Sequence, residues 1–148
     1  MKKVFFLTLV LFAATTFFSQ SVKAQTEAQR IELCSQVANS TVQGSYVINL
    51  DPASDGQRPP DFRQPIALRA KNKYRITVCT DEESTGEAIV NLLEEGRIVG
   101  RTLDPQTGRV HTSIDFDCTK TSVYIIIASI KDGRAGSAVI IVSHVKTL

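Results

Sequence analysis

The sequence predicts an all-β fold: an antiparallel β-sandwich of seven or eight strands, preceded by a short N-terminal α-helix. From residue 65 onward, runs rich in Ile, Val, Tyr and Thr alternate with polar turns, most of them containing Gly. Short strands at this regular spacing are typical of sandwiches and barrels. A helical spacing of apolar residues occurs only once after residue 24, at the start. The chain has 148 residues, which suits a single domain.

The first 24 residues have the pattern of a secretory signal peptide. Lys2 and Lys3 supply the positive start, and residues 4–18 are almost wholly apolar. Val22 and Ala24 occupy the two positions that signal peptidase inspects. A membrane-spanning helix needs about 20 apolar residues, and this run is shorter. We therefore expect cleavage after Ala24, no membrane span in the mature protein, and a secreted or periplasmic location.

The remaining residues are divided into a helix and linker, 25–43, and a sandwich domain, 44–148. Without residues 1–24 the net charge changes from +2 to about −1, and five of the seven Phe are lost. A net acidic chain is a poor nucleic-acid binder. With no Trp and three Tyr, it also offers few aromatic platforms for a sugar. Both composition and charge therefore argue against these two ligand classes.

Residues 26–38 have helical spacing, with Thr26 as the N-cap and Glu27 at the positive end of the helix. Their single apolar stripe indicates that one face packs against another element. A possible strand follows, and then the clearest loop of the chain, residues 51–64, which contains three Pro and three Asp before a fourth Pro at position 65. The predicted strands are residues 44–50, 66–70, 73–80, 87–93, 97–103, 109–117, 122–130 and 137–145.

Two of these strands are apolar without interruption, at residues 124–128 and 138–142. Continuous apolar runs indicate strands that are buried on both faces. We expect the second run to lie under the N-terminal helix. By contrast, residues 109–117 alternate between apolar and polar, which indicates a strand with one exposed face.

Three cysteines remain in the mature chain: Cys34, Cys79 and Cys118. In an oxidising compartment this odd number implies one disulfide and one remaining thiol, or a disulfide between two molecules. We expect the pair Cys79–Cys118, because both residues lie at ends of predicted strands. Strict alternation leaves another pairing open: it places Cys79 on the face opposite Val78. In that case Cys34, on a helix packed against the outer surface, would be its partner.

Several motifs resemble the bacterial pre-peptidase C-terminal domains of secreted proteins. They are the run Lys73-Tyr-Arg-Ile-Thr-Val, the turn Glu94-Glu-Gly, the strand Ser113-Ile-Asp-Phe and the run Val123-Tyr-Ile-Ile-Ile. The similarity extends over residues 65–145, although Ser122-Val123 stands where the family has Gly before Tyr. The resemblance implies a jelly-roll-like sandwich, and it implies no particular activity.

Catalytic patterns are absent from the sequence. His111 and His144 are the only histidines, both in predicted strands, and no Gly-x-Ser-x-Gly motif is present. A calcium-stabilised accessory domain is one alternative, because carboxylates in the loops of a sandwich can bind Ca²⁺. The candidate metal ligands are Asp115, Asp117, Asp51 and Asp55.

The sequence thus predicts a non-catalytic binding module that uses no cofactor and recognises another envelope or secreted protein. The loops at 51–64 and 104–108 are its first candidate contacts, because binding residues are common on loops above a rigid scaffold. The alternative function is a small secreted enzyme or an enzyme inhibitor. An ordered protruding loop would favour the inhibitor.

Overall fold

The computed structural model describes residues 25–148, so the predicted signal peptide lies outside the described residues. Within this range, no helix is long and apolar enough to cross a membrane. The elements in chain order are α1 (Glu27–Ala38), β1 (Thr41–Leu50), β2 (Phe62–Leu68), β3 (Asn72–Thr80), β4 (Ala88–Glu94), β5 (Arg97–Arg101), β6 (Ser113–Cys118), β7 (Ser122–Ile130), a 3₁₀ turn (Lys131–Gly133) and β8 (Gly136–Thr147).

The eight strands form two four-stranded sheets, with the orders β1-β8-β3-β6 and β2-β7-β4-β5. Every pairing between neighbouring strands is antiparallel. We call these the first and the second sheet. Their strand orders are those of an eight-stranded jelly roll. The predicted all-β sandwich with an N-terminal helix is therefore confirmed.

The core lies between the two sheets and is mainly aliphatic. Each central strand contributes alternate residues to it, as the period of two requires. The side chains of this core include Ile76 and Val78 from β3, Val90 and Leu92 from β4, Tyr124 and Ile126 from β7, and Ile140 and Val142 from β8.

Helix α1 covers the outer surface of the first sheet. It begins with a capping box: Thr26 Oγ1 accepts a hydrogen bond from Gln29 N (3.3 Å), and Gln29 Oε1 accepts one from Thr26 N (3.0 Å). Cys34 and Ala38 on its inner face pack against Val139 and Ile141 of β8, and all four residues are buried. The prediction that the apolar run 138–142 lies under the helix is confirmed.

Two further contacts attach α1 to the first sheet. Arg30 Nε donates a hydrogen bond to Asp81 Oδ1 (3.0 Å), and Arg30 Nη2 lies 2.6 Å from Asp81 Oδ2. A disulfide joins Cys34 of α1 to Cys79 of β3 across a sequence separation of 45 residues. Both contacts are long-range, so they fix the helix to the sheet rather than stabilise the helix alone.

The expected disulfide Cys79–Cys118 is wrong, and the reason is strand alternation. Tyr74, Ile76 and Val78 face the core, so Cys79 lies on the outer surface beneath α1. Cys118 faces the core, is fully buried, and is not in a disulfide. In the register of β3 with β6, Cys118 is opposite Asn72, at the far end of β3 from Cys79. Alternation therefore holds at these strand ends.

Several predicted boundaries shift in the structure: β1 begins at Thr41, within the predicted linker 25–43, and the two largest shifts are at the starts of β2 and β6. The second strand begins at Phe62, four residues before the predicted start at 66, so the first long loop covers only residues 51–61. Pro65 lies within β2, which is possible because β2 is an edge strand and needs hydrogen bonds on one side only. Strand β6 begins at Ser113 rather than 109, and Val110 instead forms an isolated bridge with Leu103.

The expectation for the run 124–128 is wrong. Tyr124, Ile126 and Ala128 are fully buried in the core, but Ile125 on the other face of β7 is 39% exposed. Ile127 is only partly buried. No described element covers this face as α1 covers the first sheet. The outer surface of the second sheet is thus apolar and open.

Candidate interaction face

The outer surface of the second sheet, which we call the open face, carries a continuous set of apolar side chains. In the strand register, Leu93 of β4 pairs with Ile125 of β7 and with Ile98 of β5. On the other side of β7, Ile125 pairs with Pro65 of β2. The apolar residues of the open face are Pro65, Ala67, Ile89, Leu93, Ile98, Val123, Ile125 and Ile127.

Several members of this set are exposed to an extent that is unusual for large aliphatic residues. Val123 is 59% exposed and Ile98 is 46% exposed. Scattered apolar residues on a surface need no explanation, whereas a contiguous apolar patch is typical of a binding site. The register makes this patch contiguous across all four strands of the second sheet.

The charged residues on the open face are all basic. Arg63 is opposite Ile127, and Arg101 is opposite Asn91, so both lie on the same surface as the apolar set. Among the outward-facing strand residues of this sheet there is no Asp or Glu. Arg63 makes two hydrogen bonds with Asp61 at the border of the face, whereas Arg101 has no ion pair among residues 25–148.

The two histidines lie in different places, and neither is in a catalytic arrangement within the described chain. His144 lines a cleft with Ser122, but no Asp or Glu lines that cleft. His111 lines a smaller pocket with Glu87, but no Ser lines it. A serine nucleophile, a histidine base and a carboxylate that orients it are needed together for triad hydrolysis.

Asp115 and Asp117 lie side by side on β6, where both form ion pairs with β3. Arg75 donates to both oxygens of Asp115, through Nε (2.6 Å) and Nη2 (3.0 Å). Lys73 Nζ is 3.2 Å from Asp117 Oδ1. The hydrogen bonds from Arg75 lower the pKa of Asp115. Two of the predicted metal ligands are therefore the acidic partners of cross-strand ion pairs, and these pairs explain why carboxylates stand at both positions.

Asp51 and Asp55, the other predicted metal ligands, lie in the exposed loop 51–61. The structure does not bring them together with Asp115 and Asp117. In the described chain, no group of three or more His, Cys, Asp or Glu side chains is placed to hold a metal ion. The predicted calcium site therefore has no geometric support in this part of the protein.

The loop 51–61 is exposed but internally ordered. Ala53 N donates to Gly133 O (2.8 Å), and Gln57 N donates to Ser54 O (3.0 Å). At its end, Arg58 and Arg63 both donate to Asp61, and the hydrogen bonds from Arg63 lower the pKa of that carboxyl group. The loop is therefore held at both ends by the rest of the sandwich.

The loop 104–108 is a short turn closed by Asp104. The Asp104 carboxylate accepts hydrogen bonds from Gln106 N (2.8 Å) and Thr107 Oγ1 (2.9 Å). These hydrogen bonds, with that from Gln106 the strongest cause, lower the pKa of Asp104. The aspartate thus has a structural role in the turn, and the turn presents no convergent set of polar groups.

A buried polar cluster lies where β6 turns into β7. Tyr124 Oη donates to Lys120 O (2.8 Å), and the Cys118 thiol donates to the same carbonyl oxygen (3.2 Å). Burial, followed by the contacts with Cys118 and Glu94, raises the pKa of Tyr124. Both side chains are fully buried, so this cluster stabilises the turn and is inaccessible to a ligand.

No family model matches the chain, and no curated protein matches it. Among solved structures, the chain is similar to PliG of Aeromonas hydrophila, a periplasmic lysozyme inhibitor of g-type lysozyme. The identity is 11% and the TM-score is 0.48, with 72% of this chain and 87% of that chain covered. The resemblance to pre-peptidase C-terminal domains stays an expectation from the sequence.

Proposed function

We propose that this chain is a non-catalytic protein-binding module that works outside the cytoplasm, secreted or periplasmic, and that its open face contacts the partner. The observation that carries the proposal is the contiguous apolar set around Ile125, which no described element covers. Bare apolar surface of this kind costs free energy in water, and a docked partner removes that cost. The disulfide Cys34–Cys79 is in keeping with an oxidising compartment.

The charges on the open face favour an acidic partner over a second copy of this chain. Arg63 and Arg101 flank the apolar set. Arg63 is paired with Asp61 at the border of the face, whereas Arg101 has no ion pair among residues 25–148, so the face keeps an unpaired positive charge. Two copies packed face to face would bring like charges together, which opposes self-association. A partner protein with an apolar centre and an acidic border would complement both features.

The test combines capture with direct binding. The immobilised mature chain is exposed to the culture medium and envelope fraction of its own cells, and the captured protein is purified for calorimetry. Ile125→Asp should abolish binding. Val42→Asp is the matched control, because Val42 is 42% exposed on the edge strand of the first sheet. It should bind like the wild type.

Two measurements separate the partner chemistries. Arg101→Gln should weaken binding several-fold, and rising salt should weaken it further, because the rim charges are exposed and screened. Sedimentation should show a monomer across the micromolar range. Undiminished binding by Ile125→Asp, or a dimer that Ile125→Asp dissolves, would overturn the assignment of this face to an acidic partner.

A second candidate is that the partner is an enzyme and the chain its inhibitor. The ordered, exposed loop 51–61 favours it, because an inhibitor must present a segment that keeps its shape in an active-site cleft. The test measures the activity of secreted peptidases and glycoside hydrolases in the presence of the wild type, and in the presence of a variant in which residues 55–60 are replaced by Gly-Ser. Inhibition that only the wild type produces supports this candidate, and no inhibition of either enzyme class counts against it.

A further inference from the structure

An open cleft lies at one end of the sandwich, between the C-terminal end of β2 and the C-terminal end of β8. Its volume is about 810 Å³, and the residues that line it include Leu68, Arg69, Tyr74, Val123 and His144. Leu68 and Tyr74 are almost fully buried and form its base. At this end Gln43 is an extra residue in β1 and Val145 is an extra residue in β8, so both strands carry a bulge beside the cleft.

One side of the cleft is held rigid by hydrogen bonds to Asn72. Asn72 Nδ2 donates to the carbonyl oxygens of Arg69 (3.2 Å) and Ala70 (3.0 Å), which orients the amide. Its Oδ1 then faces His144 Nε2 at 3.0 Å, so this ring nitrogen carries the proton and donates. The His144 ring also packs edge-on against Tyr74 at a centroid distance of 5.9 Å.

Arg69 is also fixed at its backbone. Its N–H donates to Tyr74 Oη (3.1 Å), which attaches the turn after β2 to the base of the cleft. Arg69 has no ion pair among the described residues, whereas Lys73, Arg75 and Lys120 all pair with carboxylates. The side chain is therefore available to a ligand.

The cleft lining combines one arginine side chain with apolar surface. Arg69 is the one Lys or Arg among the lining residues, the other polar groups are amides, hydroxyls and the His144 ring, and no Asp or Glu lines the cleft. Ala67, Leu68 and Val123 supply apolar carbon beside the arginine. An arginine side chain suits a carboxylate, with which it makes two parallel hydrogen bonds.

We propose that this cleft binds a carboxylate group that has an apolar group next to it. Two sources share that chemistry: a small aliphatic carboxylic acid, and the C-terminal carboxylate of a peptide that ends in an apolar residue. Arg69 pairs with the carboxylate, and Leu68 and Val123 contact the carbon chain. The cleft adjoins the open face, because Ala67 and Val123 belong to both. Ile125 does not line the cleft and Arg69 is not part of the open face, so variants of these two residues test the two proposals separately.

The experiment titrates the isotope-labelled mature protein with defined probes and follows the backbone amide signals by NMR. The probes are hexanoate, hexan-1-ol, a tetrapeptide that ends in a free Leu carboxylate, and the same peptide as its C-terminal amide. Saturable shifts at Arg69, Asn72, Val123 and His144 with one or both of the acids, but with neither neutral probe, are the expected result. Stronger binding of the peptide or of hexanoate then identifies the source.

Two variants make the result specific. Arg69→Gln should weaken binding of the acid about tenfold, since it removes a charge-assisted hydrogen bond. Arg101→Gln, which removes a charge at the opposite edge of the second sheet, should leave the affinity unchanged. Arg69 and Arg101 are both exposed, so neither substitution should destabilise the fold. Equal binding of acid and neutral probes, no saturable shifts, or undiminished affinity of Arg69→Gln would overturn the proposal.

Discussion

Gly133 shows how a single residue holds the long loop against the sandwich. Its φ is +65°, a conformation that L side chains rarely adopt, and an added Cβ would lie 3.0 Å from Ala53 Cβ and 3.5 Å from a carbon of Pro59. The backbone conformation and the close approach of the loop both require glycine here. The predicted strands 122–130 and 137–145 leave a turn between them, but the sequence does not reveal that the loop 51–61 packs against this turn.

Gly133→Ala should destabilise the protein by about 1–2 kcal/mol, because it strains the backbone and pushes the loop away. Gly56→Ala is the matched control: its φ is +72°, but nothing lies within 4 Å of the added carbon. The difference between the two variants in urea unfolding measures the packing of the loop. Equal losses would show that the loop does not pack on Gly133.

Asp115 should make the free energy of unfolding depend on pH. Its pKa is lowered in the folded protein by Arg75, so the unfolded chain binds the proton more readily than the folded chain does. The stabilisation is therefore present above the unfolded pKa, near 3.8, and is lost as the pH falls through the lower, folded pKa.

Asp115→Asn should consequently reduce the loss of stability between pH 7 and pH 3, measured by urea unfolding at both values. The effect is modest, because the carboxylate is 39% exposed and solvent screens the pair. In the background of Arg75→Gln, the same substitution should change the acid dependence much less. An acid dependence of Asp115→Asn identical to that of the wild type would contradict the prediction.

At the scale of the element, α1 depends on its attachment to the first sheet. The helix has 12 residues, which is short for independent stability in water. Its buried contacts with Val139 and Ile141, the Arg30–Asp81 ion pair and the disulfide replace intrinsic helix stability. The sequence predicts the helix and its apolar stripe, whereas the Arg30–Asp81 pair depends on a contact 51 residues away that no local pattern reveals.

Replacing both Cys34 and Cys79 with Ala should lower the free energy of unfolding by about 2–4 kcal/mol, as expected for removal of a cross-link over a loop of this length. Dithiothreitol should lower the melting temperature of the wild type and leave that of the double variant unchanged. Peptide mapping should recover the Cys34–Cys79 pair, and Cys118 should react with a thiol reagent only after denaturation, because it is fully buried.

At the scale of the whole molecule, the sequence predicts which strands exist better than it predicts what covers them. The period of two identifies most strands, and the apolar run 138–142 correctly indicates burial on both faces. The equally apolar run 124–128 has the same local pattern but an open outer face. An apolar strand sequence indicates a surface whose exposure to water is unfavourable. It does not indicate whether another part of this chain or another molecule covers that surface.

The candidate site is less predictable than the fold for the same reason. The sequence predicts binding contacts on two loops, because these loops stand out as polar segments between strands. The open face, by contrast, is formed by strands that are distant along the chain. Leu93, Ile98 and Ile125 become neighbours only through the register of β4 with β5 and β7. The signal that could have indicated the face was available: Ile125 and Ile127 stand where a strand with one solvated face would carry polar residues.

The difference between the two outer faces can be measured by making the same substitution at one position on each face. Ile125 and Ile141 both lie on the outer face of an inner strand of a four-stranded sheet, but Ile125 is 39% exposed and Ile141 is fully buried beneath α1. Ile→Thr keeps the β-branch, so strand propensity changes little in either place. The substitution replaces the ethyl branch by a hydroxyl, and the cost of burying that hydroxyl and of losing apolar contacts is largest beneath the helix, where the side chain is fully covered.

Ile141→Thr should therefore cost about 2–4 kcal/mol in urea unfolding, whereas Ile125→Thr should cost less than about 1 kcal/mol. Hydrophobic-interaction chromatography should show the reverse order, with shorter retention for Ile125→Thr and little change for Ile141→Thr. A large loss of stability for Ile125→Thr would mean that the isoleucine serves the fold. A small loss means that folding does not require an apolar residue at this position, which leaves binding as the physical reason for the aliphatic surface of the second sheet.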